Sequence, residues 1–258
     1  MKMKYLFDKR QSLPAIGLGT YNLKYTDFLN LLPECLNNGV VFFDLAEKYD
    51  NEVDFGRVLK ELDIQRNDTI IATKISNKQQ NSCSTLVAIE SSLKNLNVEY
   101  IDYYFIHSPK YEDYIRTWRE MIQAKDKGLI KNIAVSNFTE EQIEALYNNT
   151  GMYPAILQTL VNPLCYPQKL INYCKGKNIL VQAYCPLNQM NKSIISNNML
   201  TVLSQKYHKT MAQILLRFLL QNEILSIPKT ASLLHLKENI DIFDFSIEDN
   251  DMRLLTGE

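Results

Sequence analysis

Val40-Val41-Phe42-Phe43-Asp44-Leu45-Ala46-Glu47-Lys48-Tyr49-Asp50-Asn51-Glu52 is the stretch whose reading decides the fold. Residues 40–43 form an apolar run that reads as a buried strand, and it stops at an acid, Asp44. A carboxylate in that place is costly unless it is paired or hydrogen-bonded. Five residues on, Tyr49 stands in a segment too polar to be core. Taken singly, Asp44 reads as a solvated strand end and Tyr49 as an amphipathic loop residue. The recurrence of the same pattern along the chain overturns those readings.

Outward from this stretch, short apolar strands keep ending on polar side chains. Residues 16–20 hold a compact strand with two glycines, after residues 4–14, which read as a short capping hairpin. Residues 69–74 end on Lys74, and 100–106 run into His107-Ser108-Pro109. Residues 130–135 end at Ser136-Asn137, 155–157 at Gln158, 179–183 at Tyr184, and 224–227 at Pro228-Lys229. Between them lie helical patterns. Thr26 is expected to cap a helix carrying Phe28, Leu31, Leu32, Cys35 and Leu36, kinked or restarted at Pro33 and closed by Gly39. Residues 52–62 place Val53, Phe55, Leu59 and Leu62 inward, and 82–97 do so with Leu86, Ile89, Leu93 and Leu96. A helix bearing Ile115, Trp118, Met121 and Ile122 stops at Gly128. Thr139 with Gln142 and Thr210 with Gln213 form capping boxes, and further helices are expected near 167–176 and from Ser232. Residues 188–198 read as a polar connection.

Strands that are apolar throughout are buried on both faces, as in a parallel sheet. Eight strand–helix units in a 258-residue chain have the size and rhythm of an (α/β)8 TIM barrel with a short N-terminal capping hairpin. The runner-up, a doubly wound open sheet, lacks its phosphate-binding glycine loop, since Gly17-Leu18-Gly19 has neither a third glycine nor a helix after it. With no linker or repeat, one domain over 1–258 is expected.

Composition narrows the function. A net charge of −1 and a pI near 6.3 give no electrostatic footprint for nucleic acid or an anionic membrane. No apolar run is long enough to span a bilayer, and charged Asp8, Lys9 and Arg10 stand where a signal peptide would need an apolar stretch. Five scattered cysteines (Cys35, Cys83, Cys165, Cys174, Cys185) without a Cys-x-x-Cys pair, and three histidines without His-x-x-x-His spacing, indicate reduced thiols and no metal site. A cytoplasmic location is expected, as a monomer with an oligomer left open.

In such a barrel, chemistry sits at the C-terminal ends of the strands, here Asp44, Lys74, His107, Asn137, Gln158, Tyr184 and Lys229, with Tyr49 just beyond. The motifs Gly17-Leu18-Gly19-Thr20-Tyr21, Phe43 through Glu52, Thr73-Lys74, Ile106-His107-Ser108-Pro109, Ala134-Val135-Ser136-Asn137-Phe138, Ala183-Tyr184-Cys185-Pro186-Leu187, Ile227-Pro228-Lys229-Thr230 and Glu238-Asn239 resemble, in order and spacing, those of the aldo-keto reductases. That resemblance implies a barrel binding an extended nicotinamide cofactor, NADPH with NADH possible, and reducing a small-molecule carbonyl substrate. It implies a catalytic tetrad at Asp44, Tyr49, Lys74 and His107. It further implies that Ser136, Asn137 and Gln158 bond the nicotinamide carboxamide, that Tyr184 stacks on the ring, and that Pro186 and Leu187 line the cofactor. Lys229 and Thr230 would hold ribose and phosphate, with His235, Glu238 and Asn239 at the adenine end. The chain departs from the family pattern at Leu45, where a small hydroxyl residue is frequent, at Asp50, where glycine is, at Leu160-Val161-Asn162-Pro163 and at Ser108.

Reduction of a carbonyl builds charge on its oxygen, which then needs a proton. A phenol is a reluctant acid at neutral pH, and an adjacent ammonium lowers its pKa. Lys74 is expected to do this to Tyr49, with Asp44 holding Lys74 and His107 donating to the oxyanion. Two other readings share the fold: a cofactor-binding redox sensor or regulatory subunit with little turnover, and a lyase with Lys74 as a Schiff base. The second fits poorly, because such a lysine needs a depressed pKa.

Overall fold

The computed structural model describes residues 5–7, 12–82, 84–109 and 113–256. Cys83 and residues 8–11 and 110–112, part of the expected hairpin among them, lie outside these. The strands are β1 (Tyr5–Phe7), β2 (Ser12–Pro14), β3 (Leu18–Gly19), β4 (Phe42–Asp44), β5 (Ile70–Ile75), β6 (Ile101–Ile106), β7 (Ile130–Ser136), β8 (Ile156–Leu160), β9 (Leu180–Tyr184) and β10 (Leu225–Ser226). β1 and β2 pair antiparallel, as expected of the hairpin, while β3 to β10 pair in sequence order, all parallel. The sheet closes on itself where Ile16 bridges Ser226 and Gly19 bridges Lys229, with Gly17 N donating to Ser226 O at 2.9 Å. The closing seam demands glycine. A Cβ at Gly17 would lie 2.8 Å from Phe42 O, and one at Gly19 would lie 2.7 Å from Ile227 O.

Alternate residues on each strand enter two different apolar environments, which is why the runs look unpatterned in sequence. Phe43, Ile71, Tyr104 and Ile106 pack outward against helices, while Phe42, Ala72, Tyr103, Phe105 and Ala134 fill the interior together with Leu13 and Ala15 from the hairpin end. One residue pair further along the inward face, the side chains turn polar: Asp44, Lys74, His107, Ser136 and Gln158.

The helices are α1 (Tyr25–Asn37), α2 (Glu52–Glu61), α3 (Asn77–Ser82), α4 (Thr85–Leu96), α5 (Tyr114–Asp126), α6 (Glu140–Thr150), α7 (Gln168–Lys177), α8 (Lys192–Ile195), α9 (Asn198–Tyr207), α10 (Met211–Gln221), α11 (Leu233–Ile240) and α12 (Asp249–Thr256). Both capping boxes form, on α6 and α10. Thr26 does not cap α1. The N-cap is Lys24, two residues earlier, where Asp27 Oδ2 accepts from Lys24 N at 2.9 Å. Pro33 neither ends nor restarts it, because the ring sits on the exposed face, where water can take the carbonyl that loses its donor. On α2 the inward position falls to Glu52 rather than Val53, which is 60% exposed, since the period set by Phe55 and Leu59 runs back to 52. The buried carboxyl accepts from Thr73 Oγ1 (2.7 Å) and Asn95 Nδ2 (3.2 Å). Burial raises its pKa, against the pull of those hydrogen bonds. α9 was not legible, because only Leu200 and Leu203 are buried on it and its start rests on Asn197 Oδ1 accepting from Leu200 N at 3.1 Å. No helix among the described residues is long and apolar enough to cross a membrane.

Candidate active site

The polar ends of the inward strand faces meet at one mouth of the barrel. Lys74 on β5 is completely buried, and its Nζ donates to Asp44 Oδ2 at 2.6 Å and to Leu45 O at 2.8 Å. Two of its three N–H bonds are thus taken inside the barrel. Tyr49 stands beside the ammonium, its ring centroid 5.1 Å from Nζ. The turn Glu47–Tyr49 that carries it ends at Asp50 with a φ of +52°, a left-handed conformation that glycine adopts freely and aspartate tolerates better than most. Asn51, fully buried, ties the turn down: its Nδ2 donates to Thr20 O at 2.8 Å, and Thr20 Oγ1 donates to Asp44 O at 2.8 Å. Tyr21 and His107 flank the Tyr49 ring edge-on, at 5.2 Å and 6.0 Å.

The electrostatics differ from the expectation in one respect. The pKa of Tyr49 is raised, not lowered: burial is the largest influence and Asp44 adds to it, and together they outweigh the downward pull of Lys74. For Lys74 burial favours the neutral amine, yet the charge and hydrogen bond of Asp44, with help from Tyr49, leave its pKa raised, so it stays an ammonium. Burial, then the charges of Lys74 and Lys48, push His107 down to about 4, which leaves it a neutral imidazole with one N–H to offer.

Asn137 adopts φ +64° and so turns its amide back over the strand ends. Its Nδ2 donates to His107 O (3.0 Å) and Ser136 Oγ (2.9 Å), and its Oδ1 accepts from Tyr184 Oη at 3.0 Å. Gln158 Nε2 donates to Asp44 Oδ1 at 2.8 Å and to Gln182 Oε1 at 2.6 Å. The sequence reading passed over Gln182. Its signal was parity, two residues before Tyr184 on the same strand face.

These groups open into a cleft of about 1180 Å³. That exceeds the ~300–1,000 Å³ usual for a single small ligand. Asp44, Tyr49, His107, Ser136, Asn137, Gln158 and Tyr184 line one end, and Pro186, Leu187, Lys229, Thr230, His235, Glu238 and Asn239 the other. Every sequence candidate except Lys74, which lies beneath, therefore borders one space. Tyr21 and Cys185, which stood in the motifs without an assigned role, also border it, as do Met190, Ile195 and Met211, which nothing in their local pattern marks. At the far end α11 begins with Ser232 Oγ accepting from His235 N at 3.4 Å, and Lys229 forms no ion pair among the described residues. Among the described residues no group of three His, Cys, Asp or Glu side chains could hold a metal ion.

Comparison with known proteins adds three findings. The family model described as "Aldo/keto reductase family" matches residues 15–257. The chain is similar to a glyoxal reductase of Bacillus subtilis, 34% identical over 93% of this chain and 87% of that protein, and to a methylglyoxal reductase of Yersinia pestis, 31% identical over 97% and 90%. Its fold superimposes on the crystal structure of a Bombyx mori aldo-keto reductase in complex with NADP with a TM-score of 0.89, at 28% identity over 100% of this chain and 93% of that one.

Proposed function

The chain belongs to the aldo/keto reductase family, and we propose that it reduces small aldehydes and dicarbonyls with NADPH, using Tyr49 as the proton donor. The observation that carries this reading is the placement of Tyr49 and His107 together at the cleft, with the buried Lys74–Asp44 pair behind Tyr49. The whole chain is taken as one such domain. The family match over 15–257 and the single closed sheet of β3 to β10 support this.

The residues present fit a nicotinamide dinucleotide. One end of the cleft offers amide and hydroxyl groups of Ser136, Asn137 and Gln158 with the Tyr184 ring; the other offers the exposed Lys229 and the N-terminus of α11, a place for an anion. When bound, the cofactor supplies the hydride. Tyr49, held protonated by burial, delivers its proton to the carbonyl oxygen as charge develops there. Lys74 stays cationic and stabilises the phenolate left behind, and Asp44 fixes Lys74 through a 2.6 Å bond. Neutral His107 donates its N–H to the same oxygen without competing for the proton. A preference for NADPH over NADH rests on Lys229, Thr230 and His235 near α11, and it is looser than an arginine at 235 would give, since only arginine is a bidentate, permanent cation. The named relatives act on glyoxal and methylglyoxal, which makes short dicarbonyls the first substrates to try.

The test is loss of NADPH absorbance with a panel of aldehydes, quinones and dicarbonyls, run in parallel with NADH. Turnover of dicarbonyls, faster with NADPH, is expected. Binding of NADPH without turnover of any carbonyl would overturn the reading.

A further inference from the structure

Gln182 is 0% exposed, on the inward face of β9 one residue pair below Tyr184, and its backbone is in register with Gln158 on β8. Resting on the reading of the cleft as a nicotinamide site, we propose that Gln182 is a positioning residue that makes Gln158 an acceptor only toward the cleft. The protein thereby selects a carboxamide-bearing dinucleotide over its carboxylate counterpart.

The orientations follow from elementary chemistry. The Asp44 carboxylate can only accept, so Gln158 must turn its nitrogen to Oδ1, 2.8 Å away. The same nitrogen lies 2.6 Å from Gln182, which must therefore present its oxygen. Both N–H bonds of Gln158 are then consumed inside the barrel. Its Oε1 forms no hydrogen bond among the described residues, and Gln158 borders the cleft. An amide N–H2 in the cleft can donate to that oxygen, whereas a carboxylate brings no donor and meets it oxygen to oxygen. The arrangement leaves one cost visible: Gln182 Nε2 is buried and has no hydrogen-bond partner among the described residues. A methionine or leucine would remove that orphan but free one N–H of Gln158 in its place. Without Gln182, one N–H of Gln158 is released, and the amide can pivot to offer it to the cleft while keeping its bond to Asp44. Discrimination against the carboxylate should then weaken.

The experiment measures dissociation constants of the full chain for NADP, for its nicotinic acid analogue, and for adenosine 2′,5′-bisphosphate, in wild type, Gln182→Met and Gln182→Glu. Wild type should favour the carboxamide over the carboxylate by at least ~100-fold, as expected where a buried polar group is left unmatched. Gln182→Met should cut that ratio about tenfold and leave adenosine 2′,5′-bisphosphate unchanged. Gln182→Glu, whose carboxyl oxygen still accepts from Gln158, should keep the ratio. Should the methionine variant not fold, Gln182→Leu gives the same readout. An unchanged ratio in a variant that binds NADP normally overturns the role of Gln182 while leaving the reductase reading intact. Wild type that fails to bind NADP overturns both.

Discussion

Asp44 and Asp102 are both nearly fully buried carboxylates on the same sheet, 2% and 4% exposed, yet they stand at opposite ends of their strands. Asp102, at the start of β6, takes Arg66, Lys131 and the backbone N–H of Ile71 as partners, and Arg66 spends its other N–H groups on Thr69 O and Tyr100 O, away from the cleft. Asp44, at the end of β4, is matched by Lys74 and Gln158, and each of those sits against the cleft or the Tyr49 beside it. The first cluster borders no part of the cleft, whereas the second lines it. A buried ion pair is weak evidence for stability in itself, so what separates the two is where the partners' remaining valences point.

The sharpest way to break the comparison is at the open end. Tyr49→Phe removes the proposed proton donor but little volume, and should slow carbonyl reduction at least ~100-fold while cofactor affinity stays near wild type. Near-wild-type turnover would remove Tyr49 from the chemistry.

Next comes a matched pair of substitutions. Lys74→Met should abolish most turnover and also destabilise the chain, by about 3–5 kcal/mol, because it leaves Asp44 buried and uncompensated. Arg66→Met should cost less, about 1–3 kcal/mol, since Asp102 retains Lys131 and the Ile71 amide, and kcat should stay within about twofold. Chemical denaturation and steady-state kinetics on both variants check this. Equal catalytic losses would dissolve the distinction between the two ends.

His107 sharpens the comparison through pH. Its folded pKa of about 4 lies below the ordinary 6.5, so between these values the unfolded chain binds more protons and stability falls on acidification. Above pH 6.5 the contribution is constant. Wild type should therefore lose more stability than His107→Gln between pH 6.5 and 4.5, and activity should show no histidine inflection between pH 5 and 8. Parallel slopes for the two proteins would contradict the neutral assignment.

The smallest effect is expected at the far end of the cleft. His235→Arg should tighten NADPH several-fold and leave NADH nearly unchanged, since an arginine adds a permanent, bidentate cation for a phosphate. No change in either affinity on that substitution would exclude His235 from cofactor choice.

The sequence by itself determined the barrel. Eight apolar runs of strand length, spaced by helical periods, admit few ways to bury both faces, and parallel closure is the one whose connections are short and all of one kind. It also named the strand-end residues, because a polar side chain closing a buried strand is costly enough to need a reason. What it could not show was which of those residues touch. Gln158 and Asp44 are 114 positions apart, and only closure of the sheet brings their side chains together. The pKa of Tyr49 is settled by a balance of burial against the Lys74 charge, and burial belongs to the assembled molecule. The thin helix α9, the inward turn of Glu52 and the bond from Gln158 to Gln182 were likewise decided by tertiary structure, each by a few contacts between segments that no local pattern joins.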